Sequence, residues 1–279
     1  MDNTISEATI QGYAFYLFQE EKSPATMEKY LRYARDFANF LGPMALQKEA
    51  LLAYKKTLMD AYSAAGTNGI LAAINSLVVY LGKPEWKVRS LRIQKHPFVL
   101  ENRQLARDDF TRLVQTARRL GKHRLEMILQ TLHVTGMRVS ELQFITTDSV
   151  KHGGGEIHLK GKIRWFFLPE ALCHMLEAYA AQEGIQKGQL FITKYGNGID
   201  RSNLWKEMKC LAEEASVHNS KVFPHNIRKL FARTYYTNKP DLAELADLLG
   251  HSDVNTTRIY TATTTSDFQE RLKQMELVI

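Results

Sequence analysis

SPATMEKYLRYARDFANFLG, residues 23–42, opens on a serine followed by proline and stops at glycine. Proline at the first helical position and glycine past the last are the natural punctuation of an α-helix. Between them Tyr30, Tyr33, Ala34, Phe37, Phe40 and Leu41 recur at the i, i+3, i+4 spacing of one buried face. Working outward, SEATIQGYAFYLFQEE places Ile10, Tyr13, Ala14, Leu17 and Phe18 on another such face. KEALLAYKKTLMDAYS and GTNGILAAINSLVVYLG follow with short connections. Four helices in the first eighty or so residues predict a compact bundle. Its aromatic stripes read as core.

Past the bundle the composition changes. From Lys83 to Arg124 there are twelve Lys or Arg against four Asp or Glu, a net +8 in a chain whose total is +7. KPEWKVRSLRIQKHPF has two prolines and no helical period, so it reads as a linker. Such a stretch is either a solvated connector or a strap across a phosphate backbone, where each neutralised phosphate releases counterions.

The rest is helical apart from one segment. DDFTRLVQTARRLG and HRLEMILQTLHVTG are two helices, and MRVSELQFITTDSV reads as a helix with an extended exit. GGGEIHLKGKIRWFFLP, rich in β-branched and aromatic residues around Lys160, Gly161 and Lys162, reads as a hairpin with a basic tip. ALCHMLEAYAAQE, RSNLWKEMKCLAEEA, PHNIRKLFARTYYT, DLAELADLLG and a terminal DFQERLKQMELVI complete the pattern. The expected class is mainly α, a four-helix bundle followed by an α-rich domain with a small antiparallel sheet.

The 279 residues, 44% hydrophobic and 24% charged, suit two globular domains. No signal-like N-terminus and no membrane-length apolar run is visible. Cys173 and Cys210 lack metal spacing, so the expectation is a reducing, cytoplasmic chain with no metal and no cofactor.

Certain polar residues remain to be explained. His225 and Arg228 lie three apart on one helix face. Arg138 follows Thr135 and Gly136, and His251 follows Gly250. Tyr260 comes nine residues after His251, in a run rich in serine and threonine. Singly, each has a structural explanation. Together, two arginines, two histidines, a hairpin lysine and a tyrosine in a polar segment suit a single purpose, which is to grip a phosphodiester while the tyrosine attacks it. A phenol, with a pKa of about 10, needs both a base and a strong positive field to do so.

TGMRVSEL, the hairpin lysine, HNIR and LGHSDVNTTRIY, in that order, resemble the signature of the tyrosine recombinases, also called phage integrases. KSPATMEKYLRYARDFANFL resembles their core-binding domain. The resemblance covers nearly the whole chain. It implies a core-binding domain at 1–82, a basic linker at 83–104 and a catalytic domain at 105–279. Arg138 and Arg228 would clamp the scissile phosphate, His225 and His251 would hydrogen-bond it and move protons, and Tyr260 would be the nucleophile. Lys160 would protonate the leaving 5′-oxygen, with Lys162 as the alternative. Lys229 stands where the family often has histidine, and Glu141 and Asp148 read as structural hydrogen-bonders. His133 reads as core. Lys87, Arg89, Arg92 and Lys95 would meet the DNA backbone. The implied partner is double-stranded DNA, bound by a homotetramer that exchanges its C-terminal tails, the stripe Phe268, Leu272, Met275 and Ile279 lying beyond the tyrosine. No arm-binding domain is expected before the first helix. A type IB topoisomerase and a silent DNA-binding protein are the competing readings. The first is disfavoured by the compact helical first domain and the His-x-x-Arg box, the second by the intact set. Integration, excision, inversion and dimer resolution all remain open.

Overall fold

The computed structural model describes residues 5–93, 104–159, 161–193, 195–251 and 253–258, together with Gln269, Lys273 and Met275; of Lys162 it gives the backbone only. The chain divides into two compact units, Met1–Lys95 and His96–Ile279.

The first unit is a bundle of α1 (Glu7–Gln19), α2 (Pro24–Leu41), α3 (Lys48–Ala61) and α4 (Ala64–Tyr80). Ser6 caps α1 and Ser63 caps α4, each side chain accepting a backbone N–H of the first turn. Tyr13, Leu17, Phe37, Leu51, Leu71 and Leu77 fill the core, and Tyr13 sends its hydroxyl to the Ala73 carbonyl at 3.1 Å. One stripe residue departs from expectation: Phe18 is 68% exposed. It lies one residue from the end of α1, on an exposed side of the helix that it shares with Phe15, while Leu17 faces the core.

The basic stretch begins as part of this unit. Pro84–Trp86 form a 3₁₀ turn, after which the chain runs extended along α4. Asn75 donates to the Val88 carbonyl and accepts the Val88 N–H, both at 2.9 Å. Asn68 does the same for Leu91, at 2.9 and 2.7 Å. The registers match: seven helical residues rise about 10.5 Å, and three extended residues span about 10 Å. Val88 is buried in the bundle core, while Lys87, Arg89 and Arg92 are exposed at its surface. Lys95 lies outside the described residues.

The second unit contains α5 (Arg107–Arg119), α6 (His123–Thr135), α7 (Thr147–Lys151), α8 (Glu170–Gln182), α9 (Arg201–Glu214), α10 (Pro224–Asn238), α11 (Leu242–Leu249) and α12 (Val254–Arg258). The segment expected as a helix with an extended exit is instead a 3₁₀ helix, Val139–Phe144, followed by α7. Thr146 and Ser149 start α7 by capping each other's backbone N–H groups, a local signal that overrides the β-branched composition. The hairpin is β1 (Gly154–Leu159) and β2 (Lys162–Phe167), antiparallel, with Ile157 opposite Arg164 and Leu159 opposite Lys162. Gly161 takes φ 71°, as a two-residue turn requires. The core runs through α5, α6, α8, α9 and α10, with Leu113, Ile128, Leu132, Leu176, Met208 and Ile227 at its centre. His133 packs its ring 4.3 Å from that of Phe110, and burial pushes its pKa down to about 4. No described helix is long and apolar enough to cross a membrane.

Candidate active site

Four of the six candidate catalytic residues meet where α6, the 3₁₀ helix, α10 and α11 end or begin. α6 stops at Gly136, in the left-handed conformation at φ 61°. A Cβ there would stand 2.3 Å from Cδ1 of Phe231, so glycine is needed both for the turn and for the close packing. Arg138 follows at the cap of the 3₁₀ helix. α11 likewise ends in the left-handed Gly250, which delivers His251. Pro224 opens α10 and puts His225 and Arg228 on its first turns.

Arg228 joins these ends. It is 2% exposed, and its guanidinium donates to the Gly136 carbonyl and the Leu249 carbonyl, both at 2.6 Å, and to Nε2 of His251 at 2.9 Å. A guanidinium has donors only. Nε2 of His251 therefore accepts, and Nδ1 carries the hydrogen that goes to Thr257 Oγ1, 2.8 Å away on α12. Thr257 is buried, so the short polar helix before Tyr260 is fixed to the site through His251.

The field is strongly positive. The His251 pKa is pushed down to about 4 by burial first, then by Arg228, Arg138, His225 and Arg164. His225, whose outer edge is exposed, is also pushed down to about 4, by desolvation and by Lys229, Arg228, Arg138 and Arg201. Both imidazoles are neutral at pH 7, each with one N–H and one lone pair. Lys229 is lowered from its ordinary value by desolvation and by Arg233, in keeping with a place inside the positive cluster.

Arg138 is 43% exposed and held by Glu141, whose Oε1 accepts Nη1 at 2.9 Å and whose Oε2 accepts the Arg138 backbone N–H at 2.7 Å. Glu141 is 2% exposed. Burial alone would push its carboxyl up; the Arg138 N–H, Arg164 and the Arg138 side chain outweigh that and hold it below the ordinary carboxylate range. Asp148 sits in the first turn of α7, and its backbone carbonyl meets the His152 ring. Lys160 and Tyr260 lie outside the described residues, and the side chain of Lys162 with them.

Arg164, which falls in the hairpin pattern one residue early counted from Lys160, is a site residue to which the sequence assigns no role. Its guanidinium meets Glu141 and the Leu248 carbonyl, beside His251. The available signal is an arginine inside the apolar run of β2, IRWFF, where an unpaired charge is costly. A groove of about 960 Å³ opens here, lined by Arg138, Glu141, Arg164, Trp165, Leu248 and His251 among others.

Comparison with known proteins gives one consistent result. Residues 103–267 match the phage integrase family. Tyrosine recombinase XerA of Pyrococcus furiosus is 25% identical over 99% of this chain and 97% of its own length. Tyrosine recombinase XerD of Listeria monocytogenes is 26% identical over 98% of this chain and 83% of its own. Among solved structures, the XerH site-specific recombinase bound to its difH substrate in a pre-cleavage complex superposes with a TM-score of 0.70. It is 17% identical, with both chains fully covered.

Proposed function

The chain belongs to the phage integrase family and is a site-specific tyrosine recombinase, and from that premise we propose that the Arg228 cluster is where it grips the scissile phosphate of duplex DNA. The observation that carries this is the convergence of Arg138, His225, Arg228 and His251 around one buried guanidinium, with the segment leading to Tyr260 tied to the same cluster.

The phenolic oxygen of Tyr260 bonds to phosphorus, the bond from phosphorus to the 5′-oxygen breaks, and a 3′-phosphotyrosine forms. The phenolic proton passes to a histidine, and the hairpin lysine, Lys160 with Lys162 as alternative, protonates the leaving 5′-oxygen. Rejoining reverses each transfer, so the bond energy stays in the ester. Charge gathering on the phosphorane oxygens is met by Arg138 and Arg228, whose charge is permanent and whose geometry is fixed. Preorganised donors of this kind are worth about 3–4 kcal/mol each.

The depressed histidines add a coupling. Without DNA, burial and neighbouring cations keep them neutral. A phosphate anion offsets those cations and moves the imidazole pKa upward. Proton acceptance at the site is thus strengthened by the substrate itself.

The proposal extends to the rest of the chain. Residues 1–82 form the core-binding domain, 83–104 the basic linker and 105–279 the catalytic domain. Lys87, Arg89, Arg92 and Lys95 meet phosphates, and four copies assemble on DNA by exchanging C-terminal tails. The test begins with a duplex selected by this protein from a random pool, two copies of which are placed in a supercoiled plasmid. Site-dependent recombinant product is expected. Relaxation without any site requirement, or binding without strand breakage, would overturn the reading.

A further inference from the structure

We infer that Arg164 is a positioning residue for the recombination reaction: by occupying one side of the Glu141 carboxylate, it leaves the guanidinium of Arg138 open to a phosphate. The inference rests on the role proposed for Arg138 and extends it to a residue that touches no substrate.

Arg164 stands on β2 opposite Ile157, with a side chain 11% exposed. Nη1 donates to the Leu248 carbonyl at 2.7 Å, and Nη2 to Oε2 of Glu141 at 2.5 Å. Among the described residues its Nε is buried without a partner. A Cβ on Gly250 would lie 2.4 Å from its Cδ, so the glycine before His251 is also what lets the arginine stem pass. Arg164 thereby ties the hairpin strand to the end of α11 and to Glu141.

Glu141 is the shared element, with 2% of its surface exposed and cations on both sides. Arg138 spends Nη1 and its backbone N–H on this carboxylate. Among the described residues its Nε and Nη2 have no hydrogen-bond partner, and they are the donors a phosphate oxygen needs. A carboxylate and a guanidinium left alone together close into a two-bonded fork. With Arg164 present, the Oε2 side is already engaged and half of the carboxylate charge is answered. With Arg164 removed, Glu141 has Arg138 as its one cationic partner among the described residues, in a buried setting that strengthens the pair. Arg138 is then drawn to the carboxylate and away from the phosphate.

The test uses the full chain and a nicked suicide duplex that traps the covalent product, under single turnover with enzyme saturating. Arg164→Met slows covalent complex formation about 10–100-fold, the scale of an ångström-sized misplacement, while Kd for the duplex changes less than about threefold. Arg164→Lys, with its charge but without the fork, falls between. The distinguishing measurement is the double variant. Glu141→Gln removes the anion that captures Arg138, so Arg164→Met with Glu141→Gln cleaves faster than Arg164→Met alone. A role in stability only would make the double variant no faster. A substrate with sulfur at the bridging 5′ position, which leaves without protonation, locates the defect: it persists if Arg138 is the group displaced. Its disappearance would assign Arg164 to the hairpin lysine instead and overturn the inference, as would wild-type cleavage by Arg164→Met. If Arg164→Met does not fold, the Arg164→Lys variant with and without Glu141→Gln carries the same comparison. Arg138→Ala is the control: cleavage at the normal rate would refute the phosphate reading itself, whereas its loss alongside an unaffected Arg164→Met refutes only this inference.

Discussion

The extended strap of the first unit and the ring of loop ends in the second are both held by side chains reaching backbone, but with opposite chemistry. Asn68 and Asn75 each give one donor and one acceptor to a single residue of the strap. The amide matches a peptide group and stays neutral. Arg228 and Arg164 reach the carbonyls of Gly136, Leu249 and Leu248 with donors alone, and their charge stays in place. Lys48 and Lys55 also donate to strap carbonyls, from the exposed side, whereas the asparagines answer both the donor and the acceptor of a strap residue. The guanidinium groups of Arg228 and Arg164 also bring a fixed positive charge to His251 beside them.

The largest effect should come from the charged half of that contrast. Arg228→Ala orphans two carbonyls, at about 1–3 kcal/mol each, and removes the centre of the positive field. Cleavage in a single-turnover assay should fall about 10²–10³-fold or more, with a lower unfolding midpoint for the second unit. Arg228→Lys sharpens the point. It keeps the charge but cannot hold two carbonyls and His251 in one plane, so cleavage stays low even where stability recovers. Normal cleavage by Arg228→Lys would mean that charge alone matters.

The neutral half should respond more gently and differently. Asn68→Ala and Asn75→Ala should each cost the first unit about 1 kcal/mol, read as a shift in denaturant midpoint, and leave cleavage chemistry on a saturated duplex untouched. Replacing Lys87, Arg89, Arg92 and Lys95 by Gln should weaken binding to every sequence. It should also flatten the dependence of log K on log salt, by up to about 0.9 for each phosphate that is no longer neutralised. An unchanged slope would show the strap charges to be only solvated.

A pH dependence follows from the depressed histidines. His133, His225 and His251 have folded-state pKa values of about 4, below the ordinary 6.5. Between these values the unfolded chain binds more protons, so stability is complete above about pH 6.5 and declines as pH falls toward 4. The second unit should melt earlier at pH 5 than at pH 7, and His133→Phe should flatten that difference. An equal pH dependence in the variant would remove His133 from the account.

Much of this arrangement is legible in the sequence, for physical reasons. Helices such as α2 and α10 show themselves through periodic apolar residues and local caps, and the hairpin through its β-branched and aromatic run. The boxes around Arg138, His225 with Arg228, and His251 sit at helix ends, where short motifs carry their own geometry. The 3₁₀ helix and α7 stay hidden because five or six residues are too few to establish a period. Phe18 escapes the pattern because a periodic stripe does not reveal how far round the helix the core extends. The role of Arg164 stays hidden because it lies in its bonds to Glu141 and Leu248, 23 and 84 residues away in sequence. The choice between Lys160 and Lys162 falls outside the described residues.

The most direct test concerns Tyr260, the proposed nucleophile. Tyr260→Phe removes one oxygen and keeps the ring, so the variant should bind the selected duplex with nearly wild-type affinity and trap no covalent complex on the nicked substrate. The wild-type complex, digested and sequenced by mass spectrometry, should carry its nucleotide adduct on Tyr260. Covalent trapping by the Phe variant, or an adduct on another residue, would contradict the account.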